Sequence, residues 1–212
     1  MKSLKESVTE SLDGGDIRLF PHLPYLLQDF LAFGTDPNMT AQMVRSNFTN
    51  SNRLRILDLG CGKGAVLVKL AKDFGCNVQG VDAVPEFIDD AKQYARQMGV
   101  EAQCHFQVDD IRIAISRLSN FDLVILGSIG PEFGPVGETL SKLRQCILPN
   151  GYAIIDDGYI PEGSSCTHSK CITQSQYFEQ IQKAGFSVVS EQIVDSKFIG
   201  ELNDRILSAI QE

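Results

Sequence analysis

From Leu54 onward the chain alternates short apolar runs with helix-length amphipathic stretches, and this alternation constrains the fold more than any other feature. The runs are 54–59 (LRILDL), 76–83 (CNVQGVDA), 102–108 (AQCHFQV), 121–127 (FDLVILG) and 151–157 (GYAIIDD). The amphipathic stretches lie near 64–73, 85–98, 111–118, 136–147 and 173–184. Runs apolar on both faces, each followed by a helix, specify a parallel sheet covered by helices on both sides. The 173–184 helix opens with Thr173-x-x-Gln176, the spacing of a capping box. Residues 186–195 read as a sixth strand and 202–210 as a terminal helix. The expected fold is a doubly wound α/β domain over 53–212.

Residues 1–16 read as a frayed polar tail ending in the breaker Asp13-Gly14-Gly15-Asp16. Residues 17–52 read as a helical cap and linker. Its first helix carries Ile17, Phe20, Leu23, Leu27, Phe30 and Leu31 on one face, and its second opens with Asp36-Pro37, a cap residue before a first-turn proline. Tyr25, Phe30 and Phe33 are aromatic groups of this segment able to line a pocket.

Nineteen Lys and Arg against 27 Asp and Glu give a net charge of −8. That balance disfavours nucleic acid, whose affinity rests on cations neutralising phosphates, and disfavours an anionic membrane. No apolar run approaches the roughly 18 residues of a spanning helix, and the first residues lack the apolar core of a secretory signal. Six cysteines scattered through apolar segments suit reduced thiols in a cytoplasmic protein.

In such a sheet, ligands bind outside the C-terminal strand ends, beside the first strand. The loop there is Asp58-Leu59-Gly60-Cys61-Gly62-Lys63-Gly64, whose alternate glycines allow a tight turn and close approach of backbone to ligand. Asp82 ends the second run 20 residues after Gly62 (82 − 62), the place for a carboxylate that accepts from ribose hydroxyls. Asp109-Asp110 end the third run, and Gly127-Ser128 end the fourth. Acidic or small residues at four consecutive strand ends are hard to assign to helix caps alone.

Two cofactors compete for this crevice. Gly60-x-Gly62-x-x-Ala65 also satisfies the dinucleotide fingerprint, which would make the chain a nicotinamide-dependent oxidoreductase. A dinucleotide would bring its pyrophosphate close to Asp58, with Lys63 as the one evident basic partner. A sulfonium cofactor with an amino-acid tail brings cationic groups that Asp58 and its neighbours favour.

At these residues the chain resembles the class I S-adenosylmethionine-dependent methyltransferases, which share a Rossmann-like fold. Ile56–Gly64 looks like the first family motif, Gly80-Val81-Asp82 like its ribose-binding acidic position, Val108–Ile111 like its adenine segment, and Leu148-Pro149-Asn150-Gly151 like the turn before its fifth strand. The resemblance covers roughly 54–195. It implies that Asp58 and the backbone of Gly60, Cys61 and Gly62 hold the methionine part of S-adenosylmethionine, and that Asp82, followed by Ala83, holds the ribose. Asp110 would take the adenine amino group with Ile111 against the ring, and Asp109 competes for the same contact. Gly127 and Ser128 would line the crevice near the transferable methyl. The implied activity is methyl transfer to a small-molecule acceptor. A non-catalytic cofactor-binding relative is the third reading.

The chain departs from the family pattern in two places. Gly127-Ser128-Ile129-Gly130-Pro131 stands where members that methylate adenine or amides carry an Asn-Pro-Pro-Tyr-like segment, which argues against those targets. No seventh strand is evident, and the unpaired edge this leaves would favour a homodimer. Methyl transfer mainly needs alignment, with proton removal for some acceptors. Base candidates follow the fifth run: Asp156, Asp157, Tyr159 and His168, of which Asp157 and His168 are taken as the catalytic candidates. Cys166-x-His168-x-x-Cys171 lacks the paired two-residue spacing and the fourth ligand of a metal site, so no metal is expected.

Overall fold

The computed structural model describes residues 2–12, 14–164 and 171–194. Five strands, β1 (Arg55–Leu59), β2 (Asn77–Asp82), β3 (Cys104–Val108), β4 (Phe121–Gly127) and β5 (Ile147–Asp156), form one parallel sheet in the order β3-β2-β1-β4-β5. The helices following them are α4 (Ala65–Phe74), α5 (Pro85–Gln97), α6 (Ile111–Ala114), α7 (Val136–Leu143) and α8 (Gln174–Lys183). The expected strand–helix alternation is therefore present. β5 starts at Ile147, inside the stretch read as helix, and a register shift between Phe121 and Leu123 accommodates its first residues.

Side-chain alternation explains why both faces are covered. Ile56, Leu123 and Ile125 join one buried cluster with Leu67, Leu70 and Ile88, whereas Leu57, Leu59, Val124 and Leu126 join a second with Ile115 and Leu143. Adjacent strand residues point to opposite faces, so a run apolar at every position needs helices on both. β1 pairs with β2 on one side and β4 on the other. Successive crossovers leave β1 in opposite directions there, which opens the crevice above its C-terminal end.

The N-terminal region departs from expectation. Residues 4–11 are not a frayed tail but a helix, α1 (Leu4–Ser11), closed by a capping box between Ser3 and Glu6. The stretch expected as one amphipathic helix is instead a 3-10 turn over Ile17–His22, containing Pro21, followed by the short α2 (Leu23–Leu26). The second cap helix forms as expected, as α3 (Pro37–Asn47), with the Asp36 carboxylate accepting from the Met39 N–H at 2.7 Å. Residues 186–194 carry no strand, correcting the sixth-strand reading, and the 202–210 helix lies outside the described residues.

Candidate functional site

The glycine loop sits above β1 with Gly60, Gly62 and Gly64 at φ of +88°, +50° and +75°. Only glycine adopts such angles freely, and at Gly60 a Cβ would also meet Ile129 Cγ2 at 2.4 Å. The loop is braced from β2: the Gly62 N–H donates to Asp82 Oδ2 at 2.8 Å, and the Val84 N–H to Oδ1 at 2.9 Å. Asp82 is buried, and burial raises its carboxyl above the usual range against those backbone donors.

Asp58 lies deeper, 4% exposed, and its Oδ1 has no hydrogen-bond partner among the described residues. Burial, followed by the nearby Asp82 charge, pushes its carboxyl up to about 7. An unpartnered buried carboxylate oxygen is energetically expensive unless something donates to it. Burial, followed by the nearby Asp82 and Asp58 charges, pushes the Cys61 thiol above its usual range.

Two connected clefts flank this loop. Asp58, Gly60, Cys61, Gly62 and Gly127 line the one over β1 and β4. Gly60, Asp82, Ala83, Asp110, Ile111, Gly127 and Ser128 line the other, which holds about 630 Å³ of space counting what opens to solvent. The structure thus brings together every cofactor-site residue expected from sequence except Asp109. The Asp109 carboxylate accepts from the Asp110 N–H at 2.8 Å and pairs with Arg117 at 2.5 Å. Asp110 caps α6 and holds the Arg112 guanidinium at 2.7 Å, which keeps its carboxyl below the usual range.

At the C-terminal end of β5, Asp156 Oδ2 accepts from Thr35 Oγ1 at 2.7 Å and Ser128 Oγ at 2.9 Å. Ser128 has φ of +55°, an uncommon conformation for a residue with a side chain. Asp157 accepts from the Gly158 N–H at 2.7 Å and from Tyr177 Oη at 3.3 Å, and it lines neither cleft. His168 lies outside the described residues. Of the cap aromatics, Phe33 lines both clefts, Phe30 lines neither, and Tyr25 is 72% exposed.

Sequence reasoning missed the wall that α1 contributes through Leu4, Ser7 and Val8. Ser7 Oγ donates to Glu132, and Arg112 Nη1 donates to the Lys2 carbonyl at 3.2 Å, fastening α1 across the cleft. The signal was present as Ser3-x-x-Glu6 with Leu4, Val8 and Leu12 four residues apart.

The residues fit S-adenosylmethionine better than a dinucleotide. Asp58 offers an unused acceptor to a cationic amino-acid tail. The cations lining the clefts are Lys63 and Arg112. Lys63 is turned onto backbone carbonyls and Arg112 onto Asp110, so neither is free to clamp a pyrophosphate.

Comparison with known proteins agrees. Residues 50–205 match the family described as "Methyltransferase domain". The chain is 26% identical over 169 residues to the ubiquinone biosynthesis O-methyltransferase of Rickettsia canadensis (strain McKiel), covering 69% of this chain and 68% of that protein. It is 31% identical over 117 residues to the protein of the same description from Rickettsia prowazekii (strain Madrid E), covering 54% of this chain and 44% of that one. Two solved structures share the fold, both described as SAM-dependent methyltransferases in complex with S-adenosyl-L-homocysteine. The Thiobacillus denitrificans protein has a TM-score of 0.68 at 21% identity, covering 87% of this chain and 78% of its own. The Geobacter sulfurreducens protein has a TM-score of 0.67 at 21% identity, covering 82% and 73%. The chain belongs to the methyltransferase-domain family, within the class I S-adenosylmethionine-dependent methyltransferases.

Proposed function

We propose that this chain transfers a methyl group from S-adenosylmethionine to a small-molecule acceptor, with a hydroxyl oxygen as the attacked atom. The observation that carries the cofactor assignment is the orphaned, buried Asp58 Oδ1 beneath the glycine loop. Asp58 and the backbone of Gly60, Cys61 and Gly62 hold the methionine part, Asp82 with Ala83 the ribose, and Asp110 with Ile111 the adenine. Asp110 is preferred to Asp109 because it lines the cleft; both carboxylates are held by an arginine, Asp110 by Arg112 and Asp109 by Arg117. When bound, the cofactor supplies an activated methyl on a sulfonium sulfur.

The chain's own contribution is then alignment and exclusion of water. Phe33 lies over Gly62, and Gly127 and Ser128 line the crevice beside it. For acceptors that must lose a proton, the base candidates read from the sequence are His168 and Asp157, of which Asp157 lines neither cleft. The descriptions of the Rickettsia proteins support an oxygen acceptor, and the negative net charge of the chain supports a small molecule over nucleic acid.

Calorimetric titration with S-adenosylmethionine, S-adenosylhomocysteine, NAD and NADP tests the reading. Binding of the two sulfur compounds alone, abolished in Asp82→Ala, is the expected result. A response to NAD or NADP with silence toward the sulfur compounds would overturn it.

A further inference from the structure

Residues 29–35 run across the mouth of the glycine-loop cleft, and Leu31, Ala32, Phe33 and Thr35 line it. This strap is fastened at both ends by groups that also belong to the cofactor crevice. At its near end, Lys63 reaches out of the glycine loop. Its ammonium donates to the carbonyls of Leu27 at 2.8 Å and Gln28 at 3.2 Å and pairs with Asp90 Oδ2 at 3.2 Å. Three acceptors match the three donors of an ammonium, so a side chain only 4% exposed carries its charge fully satisfied. Leu27 caps the C-terminal end of α2, and its carbonyl also accepts from the Phe30 N–H at 3.1 Å.

At the far end, Thr35 Oγ1 donates to Asp156, which also holds Ser128. The backbone is too close there for side chains: a Cβ on Gly127 would lie 2.6 Å from Thr35 Oγ1, and one on Gly34 would lie 3.1 Å from Ser128 Cβ. Between the fastenings, the Phe33 ring lies 3.1 Å from where a Gly62 Cβ would be. Moving the strap therefore means moving Phe33 off the glycine whose N–H is held by Asp82.

We infer that Lys63 and Thr35 are positioning residues that lock the 29–35 strap over the cofactor crevice. They act through Phe33 on the glycine loop rather than by touching the reacting atoms. The inference rests on the cofactor reading above, and it assigns to Lys63 a task different from holding a phosphate.

Lys63→Met and Thr35→Val test it, with two readouts on the full chain. The first is the Kd for S-adenosylhomocysteine. The second is the rate of chymotrypsin cleavage at Phe30 and Phe33, with and without that ligand. In the wild type, ligand should protect these bonds. Each folded variant should raise the Kd by about tenfold, within the usual range of coupling between sites, and lose most of the protection. KM for S-adenosylmethionine should rise more than kcat falls. Folded variants with wild-type Kd, KM and cleavage overturn the inference. Should Lys63→Met fail to fold, Thr35→Val, which keeps side-chain shape, decides the matter alone. A wild type that does not bind S-adenosylhomocysteine overturns the cofactor reading itself, a result distinct from unchanged variants of a binding-competent protein.

Discussion

Asp82 Oδ2 accepts the Gly62 N–H at 2.8 Å, so the carboxylate at the end of β2 holds the glycine loop in shape as well as facing the cleft. Replacing it therefore has two consequences. Asp82→Ala leaves the buried Gly62 and Val84 N–H groups without their acceptor, a loss of about 1.5–3 kcal/mol for hydrogen bonds to a charged group. Chemical denaturation should show that loss, and calorimetry should show no binding of S-adenosylhomocysteine. Asp82→Asn retains an acceptor oxygen and should recover part of the stability but little of the affinity.

The Asp58 carboxyl, pushed up to about 7 from 3.8, makes the ligand-free fold sensitive to pH. A carboxyl with a raised folded pKa binds more protons folded than unfolded, so its effect on stability is favourable at low pH. It is lost as pH rises from the unfolded value toward the folded one, by up to about 1.4 kcal/mol per pH unit, and is constant above it. Cofactor affinity should move the opposite way. A cationic tail needs the ionised carboxylate, so binding should tighten by up to about tenfold per pH unit up to about pH 7 and level off beyond. Titration calorimetry between these limits should show proton release on binding. In Asp58→Asn both slopes should shrink to what the buried Asp82 carboxyl contributes, and the cofactor should bind weakly throughout.

Much of this was legible in the sequence, for identifiable reasons. Ile56, Leu57 and Leu59 are fully buried on alternating faces, and two-sided burial leaves a short apolar run interrupted only by Asp58. The 20-residue interval from Gly62 to Asp82 is realised as a hydrogen bond. What escaped depends on partners without a sequence signature. Lys63 finds backbone carbonyls 36 and 35 residues before it, and any residue type could supply those. Residues 186–194 have strand-like composition, yet Val189 and Ile193 are 63% and 67% exposed, because a strand needs a neighbour that composition does not specify.

Gly60 and Gly15 form a matched test of the glycine loop. Gly60→Ala forces a Cβ into a φ of +88° and onto the Ile129 methyl, whereas around Gly15 a Cβ meets nothing within 4 Å. Gly60→Ala should destabilise the fold by about 1–3 kcal/mol and weaken S-adenosylhomocysteine binding. Gly15→Ala should stay within about 0.5 kcal/mol of wild type and bind normally. Thermal denaturation of both, with and without ligand, separates loop strain from a general intolerance of added bulk.

The N-terminal helix should govern how fast the cofactor exchanges. α1 lies on the cleft through Leu4, Ser7 and Val8, yet none of these residues belongs to the two clusters that bury the sheet. What holds it includes a capping box, the Ser7–Glu132 contact, the Arg112 bond to the Lys2 carbonyl, and Val8 and Leu12 against the Leu23–Phe87 cluster. Ser3→Ala removes the cap and should speed amide exchange across residues 4–11 by about fivefold, leaving β1 and β4 protected. Val8→Asp puts a carboxylate against that apolar cluster and should release the helix altogether. Stopped-flow measurement should then show S-adenosylhomocysteine leaving faster in Val8→Asp than in Ser3→Ala, and faster in Ser3→Ala than in wild type. Equal release rates in folded variants would mean that α1 rests on the cleft without gating it.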